Sequence, residues 1–92
     1  MKKNVMMIVN PVSGAIDKSD FVLAAERFAH QENFNFVSYE TSGLDDASGI
    51  RALFNQYKPE RIIIAGGDGT IKLAADALEN EEVIFGILSA GS

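Results

Sequence analysis

The sequence predicts an α/β domain in which a parallel sheet carries helices on both faces. Three observations predict it. Short unbroken apolar runs recur along the chain, segments with three- and four-residue apolar spacing separate them, and each run is followed by a small, polar loop. Unbroken runs suit strands covered on both faces, and their alternation with helical patterns is the signature of parallel sheets with crossover helices.

Val5-Met6-Met7-Ile8-Val9 is the first strand, stopped by Asn10-Pro11. From about Ser19 to Gln31 the residues Phe21, Ala24, Ala25 and Phe28 recur at helical steps, with Ser19 or Asp20 able to cap the start. Phe34 to Tyr39 is a more mixed stretch, read as a second strand nearer an edge. From about Asp45 to Tyr57 the residues Ile50, Leu53, Phe54 and Tyr57 predict a second helix, which Pro59 ends. Arg61-Ile62-Ile63-Ile64-Ala65 is the third strand, stopped by Gly-Gly. Ile71, Ala74, Ala75 and Leu78 form the stripe of a third helix from about Thr70 to Glu79, its alanines small enough to let it lie close to the sheet. Val83 to Leu88 is the fourth strand, followed by Ser89-Ala90-Gly91-Ser92. In such β-α-β-α-β-α-β sheets ligands bind outside the carboxyl ends of the strands, so the loops after Val9, Tyr39, Ala65 and Leu88 are the ones that matter.

Composition narrows the function classes. Ninety-two residues suffice for one small domain, and a hydrophobic fraction of 47% excludes a disordered chain. A net charge of −5 offers no footprint for nucleic acid or for a strongly anionic membrane surface. The absence of cysteine excludes a disulfide framework and a thiolate zinc site. Lys2 and Lys3 precede an apolar stretch too short for a signal peptide or a membrane span, so the default location is the cytoplasm.

The strongest chemical signal is Gly66-Gly67-Asp68-Gly69-Thr70, between an apolar strand and a helix. Glycine lets a phosphate approach the backbone and permits positive φ. A helix start offers unpaired N–H groups and the positive end of a dipole. Thr70 caps the helix or donates its hydroxyl to a phosphate. Asp68 is the odd residue, because a carboxylate repels phosphates unless a cation intervenes or it contacts sugar hydroxyls. It is therefore assigned to Mg²⁺, directly or through water, or to ribose, with the metal favoured. A bare Gly-Gly pair is an ordinary tight turn, but the whole pentapeptide in this context asks for a ligand. It is neither a P-loop, which needs Gly-Lys-Ser/Thr, nor a dinucleotide fingerprint, which needs a small residue where Lys72 stands.

Three further loops fall at the same sheet edge. Asn10-Pro11-Val12-Ser13-Gly14 offers a fixed turn, an open backbone and two polar side chains; Thr41-Ser42-Gly43 offers hydroxyls and a glycine; Ser89 to Ser92 is again small and polar. Singly each is a common turn. Together they ask for a shared ligand. Other polar residues read as bland: His30 as a solvated helix-end residue, Asp45 and Asp46 as helix-start carboxylates facing the dipole, Glu79, Glu81 and Glu82 as a solvated connection, and Lys72 as a surface lysine within reach of a phosphate.

Asn10-Pro-Val-Ser-Gly14, Thr41, Gly66-Gly-Asp-Gly-Thr70 and Gly86-Ile-Leu-Ser-Ala-Gly-Ser92 resemble, in order and spacing, the diacylglycerol kinase catalytic domain family, which includes bacterial lipid kinases, sphingosine kinases and ceramide kinase. GGDGT alone is shared with NAD kinases, and a related form occurs in phosphofructokinases; the Asn-Pro-x-Ser-Gly loop separates the lipid-kinase branch. The resemblance covers essentially the whole chain. It implies a Rossmann-like three-layer α/β/α fold and an N-terminal nucleotide-binding lobe spanning residues 1–92 of a two-domain enzyme. It further implies transfer of the ATP γ-phosphate, with Mg²⁺, to the hydroxyl of diacylglycerol or a related lipid. Carried over by position, Asn10, Ser13, Gly14, Thr41, Gly66, Gly67, Asp68, Gly69, Thr70, Ile71, Lys72 and Ser92 bind nucleotide, and Asp68 is the catalytic and metal residue.

Ser89 and Ser92 stand where the family has Pro and Thr, and Lys72-Leu73 where it commonly has Asn-Glu. The chain ends inside the family's fourth motif, so the expectation is a fragment, inactive alone, without the β-rich second domain that carries the lipid cleft. The full-length protein would then meet its acceptor at the membrane surface as a peripheral enzyme. The acceptor lipid and homodimerisation stay open. The competing readings are a NAD-kinase-like lobe and a non-catalytic nucleotide-binding module.

Overall fold

The computed structural model describes residues 3–10 and 18–88. Its elements run β1 (Lys3–Val9), α1 (Lys18–Gln31), β2 (Phe34–Glu40), α2 (Asp46–Tyr57), β3 (Arg61–Ala65), α3 (Asp68–Ala77) and β4 (Ile84–Leu88). The four strands form one sheet in the order β2-β1-β3-β4, and every neighbouring pair is parallel. Their carboxyl ends are level: Val9 pairs with both Glu40 and Ala65, and Ala65 with Leu88.

The apolar pattern explains the layers. Side chains alternate across a strand, so β1 and β3 each serve both faces. Met6, Ile8, Ile62 and Ile64 meet Ile50 and Phe54 of α2 and Ala74, Ala77 and Leu78 around α3. Met7, Val9 and Ala65 face the other way, where Val22 and Ala25 of α1 pack on them. Every residue from Val5 to Val9 is therefore buried, which is why this strand reads as an unbroken apolar run. The mixed β2 stretch lies at the sheet edge, as its composition implies.

The helix faces differ in detail from the periodicity. In α1 the sheet-facing residues are Val22, Ala25 and Ala29, whereas Phe28 is 53% exposed and Ala24 is exposed. Small residues decide the rotation: alanine lets the helix axis approach the sheet, and the bulkier Phe28 is left over an apolar groove of about 140 Å³ lined by Ile63, Ile84 and Phe85. In α2, Ile50 and Phe54 are buried and Tyr57 stands at the rim. In α3 the buried positions are Thr70, Ala74 and Ala77, while Ala75 faces out. Lys58, in the left-handed conformation at φ 49°, ends α2 by bonding its N–H to the Phe54 carbonyl, and Pro59 prevents continuation.

Candidate functional site

The chain runs from β1 outward to β2 and returns to β3 on the far side of β1. In open parallel sheets a ligand crevice lies above the strand ends at such a reversal. Two backbone hydrogen bonds extend the ladder into that crevice. Asn10 N–H donates to the Ala65 carbonyl at 3.0 Å, and Thr41 N–H to the Val9 carbonyl at 2.9 Å. Asn10, Thr41 and the start of the glycine segment thus stand in a row above the sheet.

The resulting cleft, of about 480 Å³, is lined by Asn10 at its base, Thr41, Ser42, Gly43 and Asp46 on one wall, and Gly67, Gly69, Thr70 and Leu73 on the other. The glycine wall begins α3 two residues before the apolar spacing predicts. Gly67 is the N-cap, in extended geometry at φ −94° and ψ −167°, and its carbonyl accepts from Thr70 and Ile71 N–H at 3.0 and 3.1 Å. It has no side chain with which to cap, so the amides of the first turn face the cleft end of the helix without a side-chain acceptor.

The glycines of this segment have different reasons to be glycine. A Cβ on Gly66 would sit 2.6 Å from Thr70 Oγ1 and 2.9 Å from Thr70 Cβ, so this position is filled by the buried threonine. A Cβ on Gly67 or Gly69 would meet nothing within 4 Å, and neither glycine has positive φ. Torsion and internal packing both fail to explain these two; the space they leave open is the cleft itself.

Asp68 is exposed at the first position of α3, where its charge also complements the helix dipole. It is not among the residues lining the cleft, and neither are Gly66, Ile71 and Lys72. Lys72 pairs with Asp76 one turn along, Nζ to Oδ2 at 3.3 Å, on the exposed side of the helix. Ser13, Gly14 and Ser92 lie outside the described residues. Among the described residues no group of three or more His, Asp or Glu side chains is placed to hold a metal ion.

The opposite wall contains a residue whose role the sequence conceals. Asp46, in the first turn of α2 as its position implies, is only 8% exposed. Its Oδ1 accepts from the Tyr39 hydroxyl at 2.9 Å, the Ser42 N–H at 2.9 Å and the Ser42 hydroxyl at 3.2 Å. Its Oδ2 accepts from the Gly43 N–H at 2.8 Å. The Ser42 amide, foremost among these donors, holds the carboxyl below its ordinary range against the opposing effect of burial. Burial, followed by the hydrogen bond and charge of Asp46, pushes the Tyr39 phenol up. The Tyr39 ring reaches Asp46 by lying against Gly49, where any Cβ would come 2.7 Å from ring carbon Cε2. The sequence signal was present, a serine-glycine turn ending in an aspartate with a tyrosine at the preceding strand end, but its parts meet only in the folded chain.

Residues 4–92 match the diacylglycerol kinase catalytic domain family. The chain belongs to that family. Among solved structures it is similar to a diacylglycerol kinase from Bacillus anthracis str. Sterne, at 27% identity and a TM-score of 0.72 over 97% of the chain. A second crystal structure from the same organism is 26% identical with a TM-score of 0.72 over 98% of the chain. The chain spans about a third of these relatives, 31% and 32% of their lengths. No curated protein matches it significantly. The similarity covers the whole of the described sheet, with its helices on both faces and the cleft at its carboxyl edge. No described helix is long and apolar enough to cross a membrane.

Proposed function

We propose that residues 1–92 are the nucleotide-binding lobe of an ATP-dependent lipid kinase, which transfers the γ-phosphate of ATP to a hydroxyl of diacylglycerol or a related lipid. One observation carries this reading: Gly67 and Gly69 line the cleft at a helix N-terminus and have no neighbour of their own that requires glycine. A phosphate seated there meets first-turn amides and the positive end of α3, with no Cβ in the way. The family match favours a lipid acceptor over the NAD of the related kinases.

In this reading Asn10, Thr41 and the Gly67–Thr70 turn bind and orient the nucleotide, with Ser13, Gly14 and Ser92 proposed as further contacts by their positions in the family motifs. Asp68 holds Mg²⁺ directly or through water. Mg²⁺ is commonly held by one or two carboxylates and by substrate phosphates, which is a role open to Asp68 at the start of α3. Bound there, the ion supplies charge neutralisation for phosphoryl transfer. Asp46, the one carboxylate lining the described cleft, is committed to four hydrogen bonds and is not assigned as the base that accepts the lipid proton. Residues 1–92, which span about a third of the similar kinases, are proposed to be inactive alone, and the enzyme to work as a peripheral protein where its lipid acceptor is found.

The test is calorimetry with Mg-ATP on the protein at its full natural length, followed by phosphorylation of lipid extracts and of NAD. Binding with lipid phosphorylation is expected. Phosphorylation of NAD alone would transfer the protein to the NAD-kinase-like reading, and absence of nucleotide binding would leave a non-catalytic module.

A further inference from the structure

Resting on the nucleotide reading of the cleft, we infer that Asp46 is a positioning residue that holds the Thr41–Gly43 wall in its nucleotide-receiving shape. The wall is pinned from two sides. Its first residue is tied to β1 by the Thr41 N–H bond to the Val9 carbonyl. The next two bend away, with Gly43 in left-handed geometry at φ 86°, and both turn their amides onto the Asp46 carboxylate. The Ser42 hydroxyl adds a bond to the same carboxylate and accepts from the Leu44 N–H at 3.2 Å, closing the turn on itself. Tyr39 completes the set from the strand end, carried across Gly49 to Oδ1.

A carboxylate at a helix start needs none of this. Facing solvent, it would complement the dipole as well. Asp46 instead is turned inward and gives its acceptor positions to donors from the loop and strand end that precede it. With those positions occupied it is a poor direct ligand, and its charge faces the cleft opposite the anion-attracting start of α3. The negative wall and the glycine wall thus give the cleft a polarity: phosphates toward Gly67 and Gly69, the uncharged part of the nucleotide toward Thr41 and Ser42. Without the carboxylate, two amides and two hydroxyls lose their acceptor together, and the wall loses the shape that receives the nucleotide.

The experiment compares Asp46→Ala, Asp46→Asn and Tyr39→Phe in the full-length protein by kcat, KM for Mg-ATP, and amide hydrogen exchange at Ser42 and Gly43. The expected result is a KM raised about tenfold or more in Asp46→Ala, with kcat changed less than about threefold. Asparagine keeps one acceptor oxygen and should fall between, and Tyr39→Phe, which removes one donor of four, should change KM least. Exchange at Ser42 and Gly43 should accelerate in the same order. A role confined to folding would lower the unfolding midpoint and the active fraction without moving KM, and that result, or unchanged exchange at the two amides, overturns the inference. If Asp46→Ala does not fold, the order of Asp46→Asn and Tyr39→Phe decides. Wild-type protein that binds no Mg-ATP sinks the nucleotide reading and the inference with it; normal wild-type binding with unmoved variants sinks the inference alone.

Discussion

Replacing Gly67 by alanine should leave stability nearly unchanged and make the protein much worse at binding nucleotide. The added methyl carbon meets no atom within 4 Å, and the backbone at φ −94° and ψ −167° is open to any residue. Replacing a glycine at an open position stabilises by about 0.4–1 kcal/mol, because the unfolded chain loses freedom, but Gly67 is the N-cap of α3, where alanine is disfavoured relative to glycine by a similar amount, and the two effects offset. Gly69→Ala should gain stability outright: the residue lies in the first turn of α3, where alanine is preferred over glycine by up to about 1 kcal/mol, and its added carbon is equally unopposed. Binding moves in the opposite sense. A hydrogen bond to a charged group contributes about 1.5–3 kcal/mol, so losing one phosphate–amide contact weakens Mg-ATP binding by about 10- to 150-fold. Calorimetry gives the affinity, and thermal unfolding of the same samples gives the stability. Affinity within twofold of wild type in both variants, with folding intact, would refute the idea that the backbone at 67 and 69 approaches phosphate. The control is Gly66→Ala, whose methyl carbon falls 2.6 Å from Thr70 Oγ1. It should cost about 1–3 kcal/mol through overpacking, and Thr70→Ala in the same chain should recover part of that loss.

Asp68→Asn should reduce kcat severely while leaving nucleotide affinity in the absence of Mg²⁺ unchanged, as titrations with and without the metal would show. Asp46 has a folded-state pKa below its ordinary value of 3.8, so its contribution to stability is complete above that ordinary value and is lost as pH falls through the lower folded value. Acid unfolding curves of wild type and Asp46→Asn should therefore stay separate above about pH 4, begin to approach one another below it, and meet only once pH is beneath the lowered folded-state value. Gly49→Ala should destabilise, against the helix preference for alanine, because the Tyr39 ring must swing away and leave Asp46; denaturant unfolding measures the sign. Lipid phosphorylation by purified residues 1–92 alone should be undetectable.

How much of this was legible depended on whether the cause lay along the chain or across it. Ile62-Ile63-Ile64 announces a strand buried on both faces because both helical layers press on it, and its bounds follow from the Arg and Gly residues at its ends. The edge position of β2 is legible for the converse reason: Asn35 and Ser38 are tolerated where one strand side is open. The α1 face was not legible in full. Phe21, Ala24, Ala25 and Phe28 satisfy helical spacing, but so do Val22, Ala25 and Ala29, and the choice is made by how closely the helix can approach Met7 and Val9. The start of α3 was displaced for a local reason. Glycine is a poor helix former, so Asp68-Gly69 reads as loop, yet the Gly67 carbonyl accepts from Thr70 and Ile71 and draws both residues into the first turn.

The two walls of the cleft show why one half of the site can be read from sequence and the other cannot. Gly67, Asp68 and Gly69 lie on consecutive positions, and their meaning comes from the strand before them and the helix after them, both visible in the sequence. Asp46 draws its meaning from Tyr39, Ser42 and Gly43, which lie within seven residues of it but converge on its carboxylate only through the left-handed turn at Gly43 and the reach of the Tyr39 ring over Gly49. A carboxylate at a helix start is explained well enough by the dipole that sequence gives no reason to look further. Burial supplies the reason. An aspartate 8% exposed, with four donors on it, has more acceptor work than a helix start requires, and the surplus falls on the loop that faces the glycines. The cleft is thus built by two opposite devices: side chains withheld at 67 and 69 to leave room, and one side chain spent at 46 to hold the facing wall.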